Sequence, residues 1–444
     1  MTGARAPSGD PDLRLSRELG VRQLAAAVFN YTVGSGIFAL PALAMAQVGP
    51  AAPLAYLACT VMMALVVLCF AEAGSRVSAT GGPYAYVEVA LGPLAGLVAG
   101  VLLGLSTLAA AAAVTTLFAE SVRALLGAGP GRGWVGAAAV LVLTALAVVN
   151  VRGVRAGART IEVATAAKLV PLVGFVLAGA AFVEPAHLAW SGAPPAGSVL
   201  GAAGMLVFAF AGIETALVPS GEVRDAARTV PRAVFLALGG VAVLYLAVHV
   251  TAQGILGSAL AADPVTPLAT AAERILGAPG RTVMLVGAAV SMLGYLGGAM
   301  LAVPRALFAL ARDGFLPSSL AAVHARFHTP HVAIVACALV IGALALSGTF
   351  ERLAVLANVS VLALYFLCAV AAWVLRRRDV RADGEPFRVP GGSWTPVLAA
   401  GLVLWVLAAT TTRREIVAVG VALAVALVFM AVRATSRRRS ARAS

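Results

Sequence analysis

Along the chain, runs of about twenty predominantly apolar residues alternate with short polar connections, and twelve such runs can be marked. They fall near 21–47, 51–71, 91–118, 134–150, 160–183 and 198–219, then near 232–257, 282–309, 331–347, 352–375, 394–411 and 414–432. At a rise of about 1.5 Å per residue, a helix of that length crosses the roughly 30 Å hydrocarbon core of a bilayer. Lipid offers no partner to backbone N–H and C=O groups, so a spanning run of this kind must satisfy them internally, as a helix. The pattern predicts an all-α integral membrane protein with twelve transmembrane helices. The longest polar stretches, about 310–330 and 376–393, are connectors too short to fold as domains.

Two runs are interrupted. The first carries Asn30-Tyr31-Thr32-Val33-Gly34-Ser35-Gly36-Ile37-Phe38, whose glycines hold a helix poorly, and the sixth carries Phe208-Ala209-Phe210-Ala211-Gly212-Ile213-Glu214, with a glycine beside a carboxylate. Each opens a unit of five runs. The chain thus divides into a tail 1–20, a first repeat 21–183, a second repeat 198–375, a connector with two further helices 376–432, and a basic tail 433–444. Interruptions at matching positions of two repeats point to a transport site. An unwound segment frees N–H groups and a positive dipole end for an anion, and frees carbonyls for a cation. An α-amino acid, with carboxylate and ammonium on adjacent atoms, satisfies both.

Composition sharpens this reading. Of 444 residues, 61% are hydrophobic and 11% charged, and the mean hydropathy of +0.96 excludes a soluble domain of this size. The net charge of +13 comes from 32 basic residues against 19 acids. Seven arginines (Arg123, Arg132, Arg274, Arg281, Arg352, Arg413, Arg414) fall in the loops on one side, and the other twenty-four fall in the tails and the opposite loops. By the positive-inside rule both termini are expected in the cytoplasm. Arg376-Arg377-Arg378 and Arg437-Arg438-Arg439 read as clusters facing anionic membrane lipid, so the charge calls for no nucleic acid. The first twenty residues carry no apolar core, and no cleavable signal peptide is expected. Cys59, Cys69, Cys337 and Cys368 lie within runs, without metal-ligand spacing, and read as small packing residues.

One cation stands apart. All basic residues but one are arginine, and the single lysine, Lys168, sits about eight residues inside the fifth run, roughly 12 Å along a helix. It is the basic group that can readily release its proton when desolvated, which marks it as a functional candidate. Glu214 is the acid at mid-run; on the residues alone it reads equally as a cap on the second half of the sixth helix. His249 in the seventh run is a candidate proton carrier or a packed core residue. His324, His328 and His331 cluster in a connector with no cysteine or carboxylate to complete a metal site. No phosphate-binding loop, metalloprotease pair or nucleophile–base constellation is present, so an enzyme is not expected.

A set of motifs narrows the class. Gly34-Ser35-Gly36-Ile37-Phe38 with Pro41, Ala79-Thr80-Gly81-Gly82-Pro83-Tyr84-Ala85-Tyr86, and Phe210-Ala211-Gly212-Ile213-Glu214 with Gly221-Glu222 and Val230-Pro231-Arg232 occur in order. They are followed by Ala311-Arg312-Asp313-Gly314-Phe315-Leu316-Pro317 and Pro386-Phe387-Arg388-Val389-Pro390-Gly391. Over roughly residues 20–395 the chain resembles amino acid permeases of the amino acid-polyamine-organocation superfamily. The resemblance implies the leucine transporter fold, an inverted repeat of five plus five helices with two extra helices and breaks in helices 1 and 6. It also implies a substrate carboxylate held by Ser35 and the N–H groups of Gly36 and Ile37, and an ammonium met by the carbonyls of Thr32, Phe208 and Ala211, with Gly34 and Gly212 at the points of unwinding. Phe208 then stands where relatives carry an aromatic that closes over substrate. Ala299 stands where guanidinium-binding relatives carry a bulky aromatic. With Ala109 to Ala113 in the third run, this leads to the expectation of an apolar, roomy side-chain pocket. Thr165-Ala166-Ala167-Lys168-Leu169-Val170-Pro171 resembles the segment in which a lysine replaces the sodium ion of sodium-coupled relatives. Lys168 would bond carbonyls around Val33 and Gly34, with Ser291 or Tyr295 as a second partner, and Glu214 would serve gating or proton response.

The expected function is secondary transport of amino acids, neutral or hydrophobic, across the cytoplasmic membrane by alternating access coupled to protons. A sodium-independent exchanger, uniporter or exporter is the alternative within transport, and a non-transporting amino acid sensor is the alternative outside it. The expected partners are the amino acid, protons and membrane lipid, with no cofactor, no metal and no obligatory protein partner.

Overall fold

The computed structural model describes residues 19–443 apart from 78, 80, 128–131, 154–157, 191, 219–222, 314, 315 and 382–384; at 132, 158–166, 309, 310, 313 and 429–443 it describes the backbone alone. The tail 1–18, Thr80, Gly221-Glu222 and Gly314-Phe315 of the motifs above therefore lie outside the described residues. No strand occurs among the described residues; one isolated bridge pairs Leu19 with Val223.

Every one of the apolar runs is helical. Run 1 forms α1 (Val21–Thr32) and α2 (Gly36–Val48), run 2 forms α3 (Ala52–Arg76), and a short α4 (Pro83–Leu91) follows. Runs 3 to 5 form α5 (Pro93–Leu125), α6 (Arg132–Arg152) and α7 (Ala158–Gly179), after which comes the single turn α8 (Pro185–Leu188). Run 6 is split into α9 (Ala196–Phe210) and α10 (Ile213–Ala216). The remaining runs form α11 (Ala226–Leu256), α12 (Pro267–Asp313), α13 (His331–Ser347), α14 (Phe350–Arg377), α15 (Trp394–Thr410) and α16 (Arg413–Ala443). Inside α12, Gly277 (φ 65°) separates a leading stretch that starts at Pro267 from the helix of the eighth run.

By length and apolarity alone, seven helical stretches among the described residues suffice to cross a bilayer, and the α15–α16 pair, bent by 117°, passes only when its two helices are joined. The shortfall from twelve has a physical origin. The break leaves 12- and 13-residue halves in run 1, and α2 continues through a 3₁₀ turn into α3, so that 36–76 counts as one stretch. Runs 5 and 9 present shorter apolar helices, Ala167–Phe182 and His331–Ser347.

The helices are apolar on both sides, as expected of a protein solvated by lipid. Outward positions carry Leu141, Val170, Leu177, Val243 and Leu339, each about 70% exposed. The interior is packed by small residues that let backbones approach closely. A Cβ on Gly287 of α12 would lie 2.6 Å from Pro171 of α7, and one on Gly204 of α9 would lie 2.9 Å from Thr410 of α15. At one end of α3, the fully buried Glu72 accepts from Arg76 (3.0 Å), Arg376 (3.4 Å) and the Val389 N–H (3.4 Å), while Ser75 Oγ accepts from the Phe387 N–H (2.9 Å). This ion-pair cluster docks the motif around Pro386–Gly391 against α3 and α14, and it gives that motif a structural reason.

Candidate functional site

The two breaks lie against each other. Between α1 and α2, the Gly34 N–H bonds the Thr32 carbonyl (2.9 Å) and the Phe38 N–H bonds the Ser35 carbonyl (3.0 Å), so residues 33–35 leave the helical ladder. Between α9 and α10, Ala211 is extended (φ −68°, ψ 154°) and Gly212 takes φ 120°, a region closed to most side chains. A Cβ on Gly212 would also lie 2.5 Å from the Tyr31 carbonyl oxygen, and one on Gly36 would lie 2.8 Å from both Cα and Cβ of Ala209. Only residues without a Cβ allow the two unwound segments to meet backbone to backbone.

Side chains from outside fasten the breaks. Lys168 of α7, 1% exposed, donates to the carbonyls of Asn30 (2.8 Å) and Val33 (3.2 Å), and Ser291 of α12 lies 3.4 Å from the same Val33 carbonyl. Its partners are thus Asn30 and Val33 where Val33 and Gly34 were expected, and Ser291 joins it through a shared acceptor. The Tyr245 hydroxyl of α11 lies 3.0 Å from both the Thr32 and the Ala209 carbonyls and so bridges the two breaks. Glu214, 4% exposed, turns back onto the Gly212 N–H (3.0 Å to each oxygen) and accepts from the Tyr365 hydroxyl of α14 (2.7 Å). Neither Tyr245 nor Tyr365 stands out in the sequence, since a tyrosine in an apolar run carries no local signal of its partner.

The breaks face a cavity of about 30 Å³, enough for one or two water molecules. Among the expected site residues, Thr32, Gly34, Ser35, Gly36, Phe208, Ala211, Gly212 and Glu214 line it. Ile37 and Ala299 are buried but do not, and Lys168 lies behind the first break. In place of Ala299, Tyr295 one turn earlier on α12 reaches the cavity; of Ala109 to Ala113 on α5 only Ala110 does, joined by Ser106, Thr107 and Val114. α14, which carries none of the expected site residues, adds Ala357, Asn358 and Val361. The polar residues of Asn358-Val359-Ser360 inside an apolar run were the available signal for it.

The expectation of an apolar, roomy pocket is therefore corrected. The cavity is small because the unwound backbones touch, and hydroxyl and amide groups share its wall with alanine, valine and Phe208. Phe208 packs edge-on against Phe350 (5.5 Å between ring centres, 90°), an aromatic contact at one side of the cavity. Two buried polar atoms of the wall-forming residues have no hydrogen-bond partner, Ser35 Oγ and Asn358 Oδ1. Ser35 also precedes the first turn of α2, where the Gly36 and Ile37 N–H groups have no acceptor within the helix. A buried hydroxyl beside free N–H groups is suited to a carboxylate.

The histidines lie elsewhere. His249 stacks on Tyr56 (4.6 Å) and bonds Gln253 (3.1 Å) in the core, and His324 Nδ1 accepts from the N–H groups of Arg326 and Phe327 (3.1 and 3.3 Å). No three His, Cys, Asp or Glu residues converge as metal ligands among the described residues.

Comparison with known proteins gives the family. The chain is 29% identical over 412 residues to a methylthioribose transporter of Bacillus subtilis (strain 168), covering 88% of each chain. It is 25% identical over 424 residues to the branched-chain amino acid permease BcaP of the same organism, covering 90% of this chain and 89% of the relative. It is 27% identical over 414 residues to the serine/threonine exchanger SteT, also of Bacillus subtilis, covering 90% of this chain and 92% of the relative. A family model described as amino acid permease matches residues 19–440, so the chain belongs to the amino acid permease family and is a multi-pass membrane protein of transport.

Proposed function

We propose that this permease is a secondary transporter of neutral amino acids across the cytoplasmic membrane, working by alternating access in two inverted five-helix units with two further helices, both termini facing the cytoplasm. The observation that carries the reading is the buried, unpartnered Ser35 hydroxyl beside the open N–H groups of α2 at a cavity between two helix breaks. The substrate carboxylate binds there, on Ser35 and the Gly36 and Ile37 N–H groups. Its ammonium takes the carbonyls of Phe208 and Ala211, with that of Thr32 partly engaged by Tyr245. A cationic side chain would need an acid, and Glu214, the one acid among the described lining residues, is already bound to Gly212 and Tyr365. The polar groups in the wall remove the reason to restrict the substrate to hydrophobic side chains.

Protons couple through Lys168. Charged, it holds the carbonyls of Asn30 and Val33 at the first break; neutral, it holds them more weakly, which biases the equilibrium between conformations. Exchange without net proton movement is the second reading, supported by the exchanger among the relatives. The test is a competition panel of the common amino acids against one transported tracer in proteoliposomes, in sodium-free buffer, with and without a pH gradient. Neutral amino acids compete, and an imposed gradient drives accumulation. Competition by arginine and lysine alone refutes the substrate class, and counterflow without gradient-driven accumulation favours exchange.

A further inference from the structure

Within that transport reading, the side-chain end of the cavity has a polarity of its own. Asn358 of α14 lines the cavity and is 5% exposed. Its Nδ2 donates to the carbonyls of Gly204 and Met205 on α9, both at 3.2 Å. Carbonyls only accept, so the amide nitrogen must face α9 and the oxygen must face away; the two contacts fix the orientation that side-chain amides otherwise leave open. Oδ1 is then a buried acceptor with no donor.

Three hydroxyls of the neighbouring wall are committed elsewhere. Ser106 and Thr107 of α5 both direct their hydroxyl protons to the Leu103 carbonyl (2.9 and 2.8 Å), which leaves only lone pairs on those oxygens. Thr32 does the same toward the Val28 carbonyl (2.8 Å), and the Tyr365 proton goes to Glu214. Asn358, Ser106, Thr107 and Thr32 line the same cavity. A buried acceptor left without a donor favours a ligand that brings the proton itself.

We propose that Asn358 reads a hydroxyl on the side chain of the transported amino acid, so that short hydroxyl-bearing amino acids are preferred over isosteres that carry a methyl group in its place. The hydroxyl donates to Asn358 Oδ1.

Threonine and valine have nearly the same shape and differ at this one group; serine and alanine are a second such pair. Each is titrated against a transported tracer in proteoliposomes with the wild-type protein, with Asn358→Leu, and with Asn358→Ala where leucine disturbs the α9 contact. Wild type is expected to favour threonine over valine, and serine over alanine, by about tenfold or more. Both variants are expected to bring the ratios close to one through loss of threonine and serine affinity. Because a ratio is read within one preparation, a lower yield of folded variant does not affect it. Equal competition within the pairs in wild type overturns the inference and leaves the transport reading intact, as does a ratio retained in both variants. If no neutral amino acid competes at all, the transport reading itself fails.

Discussion

Substitution of Gly36 by alanine isolates the contact between the two breaks from every other property of the site. The added Cβ would lie 2.8 Å from Ala209 Cα and Cβ and 3.3 Å from Ala209 N, where carbon atoms in ordinary contact keep about 3.5–4.0 Å. The shortfall is roughly 0.7–1.2 Å, and two of the three atoms in the way are backbone, so no rotamer change relieves it. α2 and α9 must part at the unwound segments. Overpacking of that kind costs about 1–3 kcal/mol, which corresponds to a loss of substrate affinity of roughly 5- to 150-fold if the displaced segments are those that bind it. Gly104→Ala in α5, where a Cβ would meet nothing within 4 Å, is the matched control. Affinity is measured by tracer competition, and thermal unfolding in detergent reports whether the fold survives. Adding Ala209→Gly to Gly36→Ala removes the overlap with the methyl group and leaves the overlap with the backbone of residue 209, so rescue should be partial. Valine at position 36 should do worse than alanine. Wild-type affinity in Gly36→Ala would refute the reasoning, because the two segments could then not be in the close contact on which the site is built.

Lys168→Ala removes two charge-assisted hydrogen bonds worth about 1.5–3 kcal/mol each and leaves the Val33 carbonyl with Ser291 alone, so counterflow should be weak and independent of pH. Lys168→Arg should lock one conformation, since a Cβ on Gly294 would already lie 3.0 Å from Lys168 Cε and the longer, permanently charged side chain has little room there; an unaltered pH profile in Lys168→Ala would sink the coupling role. Outside the spans, burial works to raise the pKa of Asp263, but the N–H groups of Thr266 and Val265 and the hydroxyls of Thr266 and Thr270 outweigh it and hold the carboxyl below the usual carboxylate range. A depressed folded-state pKa stabilises the fold above the unfolded value of about 3.9 and loses that contribution as pH falls through the folded value. Asp263→Asn should therefore lower the melting temperature more at pH 7 than near pH 3, with equal losses at both pH values counting against the hydrogen-bond network.

Much of the architecture follows from hydropathy, because a helix is the local answer to a long apolar run in lipid and needs no distant partner. What the runs do not reveal are elements whose stability comes from neighbours. α4 is only nine residues, Pro83–Leu91, and Gly96 of α5 packs against Glu88 within it so closely that a Cβ there would lie 2.7 Å from the Glu88 Cβ. The positions of the breaks were readable for the same reason that the helices were. Gly36 and Gly212 are the local condition for an unwound segment, and Lys168 is conspicuous as the one lysine in a chain of arginines. The partners were not readable. That Tyr245 bridges the Thr32 and Ala209 carbonyls depends on α11 crossing both broken helices, which no spacing within α11 encodes.

The two sides of each break are used differently, and this sets what a ligand can gain. Carbonyls at the first break are engaged by Lys168, Ser291 and Tyr245, each from a helix other than the broken pair, so the acceptor side serves first to hold the bundle together. On the donor side, the Gly212 N–H is closed by the protein's own Glu214, whereas Ser35 and the start of α2 have no such internal anion. The break in run 6 thus carries its own carboxylate, and the break in run 1 is left to accept one from outside. In the proposed reading, a substrate carboxylate would complete at α2 the arrangement that Glu214 already completes at Gly212. Glu214 in turn is tied by Tyr365 to α14, the helix that also supplies Asn358 to the wall. Movement of α14 would therefore reach both the fastening of the second break and Asn358, the group proposed to meet the substrate side chain. On the proposed reading, that connection would let the identity of the substrate bear on the conformation of the site through a single helix.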